Sequence, residues 1–168
     1  IIDNNGTSTT ATTLISENTT DTNVGDIIIR NSGKLNISAF NSSFQIWPSL
    51  TTYGNFNNTV SGGFSMGPNS TLILAGDSTQ NTTFYSNESF YNLNITKKGG
   101  YVFFPAVWQT NISGTFYVLG NSTNKAFLRS TTTNVPWKIN ASSSNVNYID
   151  VQDSNNTGTQ ILAGYATN

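Results

Sequence analysis

Short runs rich in Ile, Val, Phe, Tyr and Leu recur along the chain, each bounded by a cluster of Asn, Ser and Gly. Apolar runs of about four to eight residues between turn-forming residues predict β-strands. Nowhere do apolar residues recur at i, i+3, i+4 and i+7 over a helix-length window, so helices are expected to be rare. The pattern predicts strands over 26–30, 34–38, 43–47, 63–66, 71–75, 82–85, 89–96, 101–104, 108–112, 115–119, 126–130, 137–140, 146–151 and 160–163. A spacing of roughly 8–12 residues per strand suits either a β-sandwich or a parallel β-solenoid, and the pattern leaves both open. Residues 4–23 differ, being mostly Thr, Asn and Ser around one apolar knot at Leu14 and Ile15. Residues 1–25 therefore read as a polar Thr/Asn-rich tail or a strand donated to a neighbour, and 26–168 as a single all-β domain.

Only 9% of the residues are charged, seven basic against eight acidic. No field steers such a chain onto nucleic acid or an anionic membrane. Its polarity comes instead from 25 Asn, 20 Ser and 25 Thr. An aromatic content of 12% with many β-branched residues separates it from disordered polar chains. There is no cysteine, and no stretch is long and apolar enough to predict a membrane-spanning helix, so membrane insertion is not expected. The N-terminus lacks a basic region followed by an apolar one, the expectation being a mature chain or a segment of a larger one.

The sequon Asn-x-Ser/Thr occurs thirteen times, at Asn5, Asn18, Asn36, Asn41, Asn57, Asn69, Asn81, Asn87, Asn94, Asn111, Asn121, Asn140 and Asn155. Chance placement in this composition yields about seven. The excess points to covalent N-glycans, and hence to an extracellular or cell-surface location. Residues i and i+2 of a strand share a face. In Asn36-Ile37-Ser38, Asn94-Ile95-Thr96 and Asn111-Ile112-Ser113, an inward Ile therefore turns both sequon partners outward.

The absence of histidine excludes Ser-His-Asp and Cys-His catalysis and imidazole metal sites. Asp150 and Asp153 stand three apart, a spacing that on a strand turns them to opposite faces, and Asp77 and Glu88 are isolated in sequence. The six Asp match no calcium loop. No catalytic residue, metal or cofactor is expected. Trp47, Trp108 and Trp137, with Tyr53, Tyr85 and Tyr101, could form a carbohydrate platform, against which stands the ordinary core role of aromatics at strand spacing.

The strings TLILAGDSTQNTTFYSNESFYNLNI (71–95), GTFYVLGNSTNKAFLRSTTTNVPWKIN (114–140) and NVNYIDVQDSNNTG (145–158) carry a family likeness. Within them the phrases FYNLNI, LRS, WKIN and YIDVQDS follow in fixed order, preceded by GNFNNTVSGGFSMGP at 54–68. This region resembles the repeat regions of very large microbial surface proteins. The resemblance implies a right-handed parallel β-helix in an adhesin-like or cell-envelope protein, usually without enzymatic activity. By composition, the chain is also similar to the glycosylated thread-type and bundling filaments of archaea, whose β-sandwich subunits accept a donor strand. That likeness implies a donated segment at 4–29, with Ile27, Ile28 and Ile29, or Leu14 and Ile15, filling a neighbour's groove. The function expected is a surface-filament or envelope subunit forming a homopolymer of identical copies by edge pairing. The alternative is a monomeric adhesin or carbohydrate-binding module.

Overall fold

A computed structural model of the chain describes residues 2–3, 11–13, 22–24, 27–30, 34–37, 49–59, 64–77 and 81–167. The strands in chain order are β1 (Ile2–Asp3), β2 (Ala11–Thr13), β3 (Thr22–Val24), β4 (Ile27–Arg30), β5 (Lys34–Ile37), β6 (Ser49–Thr52), β7 (Phe56–Asn58), β8 (Phe64–Met66) and β9 (Thr71–Leu74). There follow β10 (Thr82–Thr83), β11 (Ser89–Phe90), β12 (Asn92–Ile95), β13 (Tyr101–Phe104), β14 (Gln109–Leu119), β15 (Ala126–Ser130), β16 (Trp137–Asn147), β17 (Ile149–Val151), β18 (Ser154–Asn156) and β19 (Ala163–Gly164). The described residues contain no helix, and the all-β class expected from the hydrophobic pattern is the one they form.

Three sheets hold these strands. A seven-stranded sheet runs β1-β4-β7-β10-β13-β15-β17, a three-stranded sheet β2-β5-β8, and a nine-stranded sheet β18-β16-β14-β12-β9-β6-β3, with β11 added on β14 and β19 on β16. Through β9 the chain visits the seven-, three- and nine-stranded sheets in that repeating order, and the pairings described are parallel. Further on, two strands fuse into one. β14 pairs with β11 through its first half and with β12 through its second, and its register against β16 shifts between Ile112 and Thr115. The extra residue of that bulge falls at Gly114, whose N–H donates to the Tyr91 carbonyl at 2.7 Å. A Cβ at Gly114 would strike that carbonyl and the Asn92 side chain, so the bulge needs glycine here.

Stacking in register builds the core. Leu50, Leu72, Leu93 and Phe116 form one column of the nine-stranded sheet, and Leu74, Ile95, Val118 and Val146 another. Phe56, Val102 and Leu128 do the same in the seven-stranded sheet, with the wholly buried Thr82 among them. An aromatic file links these columns. Phe84 packs 5.7 Å from Phe56, 5.3 Å from Phe90 and 5.5 Å from Phe104, and Phe104 stacks on Trp137 at 4.2 Å. Burying one such side chain contributes about 1.5–3 kcal/mol. Trp137 satisfies its own polar end by donating Nε1–H to the Gln152 carbonyl at 3.1 Å.

Several predicted strands differ from those observed. The run 89–96 breaks at Tyr91, while 108–112 and 115–119 fuse into β14. Strand 137–140 extends to Asn147 through Ala-Ser-Ser-Ser, and 160–163 shrinks to Ala163–Gly164. The sequence pattern misses β6, β7 and β18, which are rich in Ser, Thr and Asn, and 43–47 lies outside the described residues. A polar segment beside parallel neighbours fills backbone hydrogen bonds from them, on both sides for β6 and β7 and from β16 alone for β18, so ladder position replaces apolar content as the strand-forming cause.

Residues 1–25 contain β1, β2 and β3, which pair with β4, β5 and β6 of the same chain. Ile27, Ile28 and Ile29 lie in β4, which has β1 on one side and β7 on the other. Leu14 and Ile15 lie outside the described residues.

Candidate functional site

The candidate site is the polar outer surface of the sheets. Of the sequon asparagines, Asn5, Asn18 and Asn41 lie outside the described residues, and Asn36 is described only as part of β5. Asn81, Asn87, Asn140 and Asn155 are exposed, while Asn57, Asn69, Asn94, Asn111 and Asn121 are half-buried. The middle residues of seven described sequons are buried: Asn58, Ser70, Thr82 and Ile95 wholly, and Glu88, Ile112 and Ala141 nearly so. Alternation thus presents both sequon partners outward at Asn81, Asn94, Asn111 and Asn140. Asn69 instead occupies a turn, in the left-handed region at φ 57°, which asparagine tolerates well.

Several of these carboxamides are held by their oxygen. Asn81 Oδ1 accepts the Tyr101 backbone N–H at 3.0 Å, and Asn87 Oδ1 accepts that of Gln109 at 2.9 Å. Asn121 Oδ1 accepts the Thr123 N–H at 3.0 Å, the Thr123 hydroxyl at 2.9 Å and the Asn124 N–H at 2.7 Å. An N-glycosidic bond forms at Nδ2, so an asparagine anchored through Oδ1 keeps the reacting nitrogen available. Asn111 and Asn140 stand in register on β14 and β16, about 4.8 Å apart as neighbouring strands dictate.

Ionisable groups also sit inside. Glu88 is 3% exposed and accepts Asn58 Nδ2–H at 2.7 Å. Burial pushes its carboxyl up to about 7, against the opposing effect of that hydrogen bond and one from the Tyr85 backbone. Lys97 is fully buried, and burial lowers its ammonium to about 8 despite the charge of Asp77 nearby. Glu88, isolated in sequence, is thus a buried acid. The signal was weak: a single acid in an Asn-Glu-Ser string.

Asp150 and Asp153 go separate ways. Asp150 Oδ1 accepts Arg129 Nη2–H at 2.6 Å and its Oδ2 accepts the Thr167 hydroxyl at 2.8 Å. Partial burial works against its charge, but those bonds and the charges of Arg129 and Lys125 hold its carboxyl below the usual range. Asp153 Oδ2 accepts the Asn134 N–H at 2.9 Å, tying a turn.

Of the aromatics proposed as a platform, Trp137 is core and Trp47 lies outside the described residues. Tyr53, Tyr85 and Trp108 are exposed, with no ring contact to one another among the described residues. Tyr101 alone joins a cluster. Its ring centroid is 5.6 Å from Phe103 and 5.1 Å from Phe127, with the Arg129 guanidinium 5.7 Å away. The legible signal was the outward i, i+2 pairs Tyr101/Phe103 and Phe127/Arg129 on two strands that were predicted with the observed bounds.

Beyond β17 an apolar hollow of about 330 Å³ opens, lined by Trp137, Ile139, Val146, Ile149, Ile161 and Ala163 among others. Comparison with known proteins gives no match to any family model, curated protein or solved structure.

Proposed function

We propose that this chain is a right-handed parallel β-helix that serves as a structural subunit of an extracellular, N-glycosylated surface filament or cell-envelope assembly. Identical copies polymerise through strand edges, and the glycans cover the outer faces. The observation that carries this reading is the topology: among the described residues the seven- and nine-stranded sheets are parallel, bounded by β1 and β17 and by β3 and β18. Parallel connections within a sheet are right-handed in about 98% of cases, which fixes the expected hand. A pilin-like sandwich is the weaker alternative, because such sandwiches pair antiparallel and the pairings described here are parallel.

Among the described residues, β1, β2 and β3 each pair on one side only, as do β18 and β19. Open edges template further strands, and the apolar hollow beside β18 and β19 offers the next layer a surface to bury. Ile27, Ile28 and Ile29 pair with β7, and Ile29 also pairs with Ile2 of β1, so the outermost strands β1–β3 carry the assembly edge in this reading. The outward sequons support the glycan part of the reading, and sugar on a chain of low charge blunts lateral aggregation.

Exposed Tyr53, Tyr85 and Trp108 favour a second reading, a monomeric adhesin or carbohydrate-binding module. Electron cryo-microscopy of the protein shed from its native cells separates the two. Filaments with sugar density branching from the outer sheet faces are expected. Discrete, bare monomers would sink the filament reading and favour the adhesin.

A further inference from the structure

On the outer face of the seven-stranded sheet an asparagine ladder gives way to an aromatic one. Asn55, Asn81, Tyr101, Phe127 and Asp150 succeed one another across β7, β10, β13, β15 and β17, the first two lying just before the strands that carry the register. The backbone records the succession: Asn55 Oδ1 accepts the Asn81 N–H at 2.8 Å, and Asn81 Oδ1 accepts the Tyr101 N–H at 3.0 Å. Beside this column run Thr83, Phe103 and Arg129. Both partners of the sequon Asn81-Thr82-Thr83 thus head columns that continue directly into aromatic side chains, while Thr82 is turned into the core.

Two features distinguish Asn81. Its Oδ1 is fixed to the strand bearing Tyr101, and its exposed Nδ2 makes no hydrogen bond among the described residues. Tyr101, 41% exposed, has Phe127 and Arg129 on its β15 side and Phe103 along its own strand at 5.6 Å, and among the described residues no aromatic ring meets it from β10. Neighbouring strands lie about 4.8 Å apart, which is also the separation at which flat rings pack. A pyranose on Asn81 Nδ2 would extend the ladder by one layer if its C–H face lay against the Tyr101 ring.

We propose that the first sugar of an N-linked glycan on Asn81 is seated on Tyr101, making the Tyr101–Phe103–Phe127–Arg129 cluster a docking platform for the chain's own glycan. The ligand class is the reducing-end pyranose of an N-glycan. The inference rests on the glycoprotein reading above. Asn94 offers a comparison within the same molecule. It stands in register with Tyr117, yet its carboxamide makes no hydrogen bond among the described residues and it lacks the surrounding cluster of rings.

The test is a cycle on secreted, glycosylated full chain, with site occupancy mapped by peptide mass spectrometry. Thr83→Val removes the sequon while leaving Asn81 and its bond to Tyr101 in place, and Tyr101→Ser removes the platform. The glycan on Asn81 is expected to raise Tm by about 3 °C when Tyr101 is present and by nothing when it is Ser. Sugar ring protons on Asn81 shifted upfield by the tyrosine ring, seen by NMR in the unmutated glycoprotein, provide a readout that does not depend on the variants folding. An occupied Asn81 with equal Tm effects in both backgrounds and no upfield shift overturns the proposal, leaving the cluster a cross-strand ladder. Other sequons occupied with Asn81 bare overturns the proposal while the glycoprotein reading stands; no sequon occupied overturns both.

Discussion

Glu88 shows how a single residue decides behaviour that its neighbours in sequence do not announce. Buried beside Asn58, it has a carboxyl pushed up to about 7 from the ordinary 4.5, so the folded state binds the proton more tightly than the unfolded chain does. Stability from this group is therefore full below pH 4.5 and falls as pH climbs through 7, by about 3 kcal/mol once the carboxylate is ionised. Lys97 acts in the opposite range. Its folded value of about 8 lies below 10.5, so burying it as a cation costs stability at and below pH 8, and the cost is relieved toward pH 10.5. Glu88→Gln imitates the protonated acid and keeps an acceptor for Asn58. Urea unfolding at pH 5 and pH 7.5 is expected to give nearly equal stabilities for this variant, where the parent loses roughly 2–3 kcal/mol between the two. A parent with no such loss would place Glu88 in water.

At the scale of the element, small residues set where strands run and stop. Gly114 admits the bulge that lets β14 bridge β11 and β12. Gly158 makes room for Asn140, whose side-chain oxygen occupies the place a Cβ would take. Gly164 does the same for Asn147. Asparagine over glycine is thus a recurring contact at the β16 side of the last layer. Gly158→Ala is expected to destabilise by about 1–2 kcal/mol, as overpacking does, with part of the loss recovered in Gly158→Ala/Asn140→Ala. Denaturant unfolding of the single and double variants measures the recovery, and strict additivity would separate the two positions. Strands 101–104 and 126–130 were legible to the residue because Val102, Phe104, Ala126 and Leu128 alternate cleanly with outward partners. β6, β7 and β18 were not, because Ser, Thr and Asn carry no period that marks a strand; their neighbours across the ladder do.

At the scale of the molecule, the described residues form parallel sheets whose side chains line up in register from strand to strand. Leu162 is 74% exposed near the hollow lined by Ile161 and Ala163. An exposed apolar end beside open strand edges associates with its like. Sedimentation velocity is expected to show concentration-dependent association of the unmutated chain and its reduction by Leu162→Glu, which changes an exposed side chain and leaves the fold's stability almost untouched. Equal association in both would move the contact elsewhere. By itself the sequence determined the all-β class, the inward and outward sense of its clean strands, and the outward presentation of several sequons, because alternation on a strand is a property of the local chain. It determined the neutral polar surface as well, since composition alone sets charge. Tertiary structure alone decided that the strands pair parallel, that two predicted strands fuse across Gly114, that Glu88 and Lys97 lie inside, and that Asn81 heads a column of aromatic rings. Each of these depends on which residue lies one layer away, twenty or more positions along the chain, and register between layers is fixed by packing that no local period encodes.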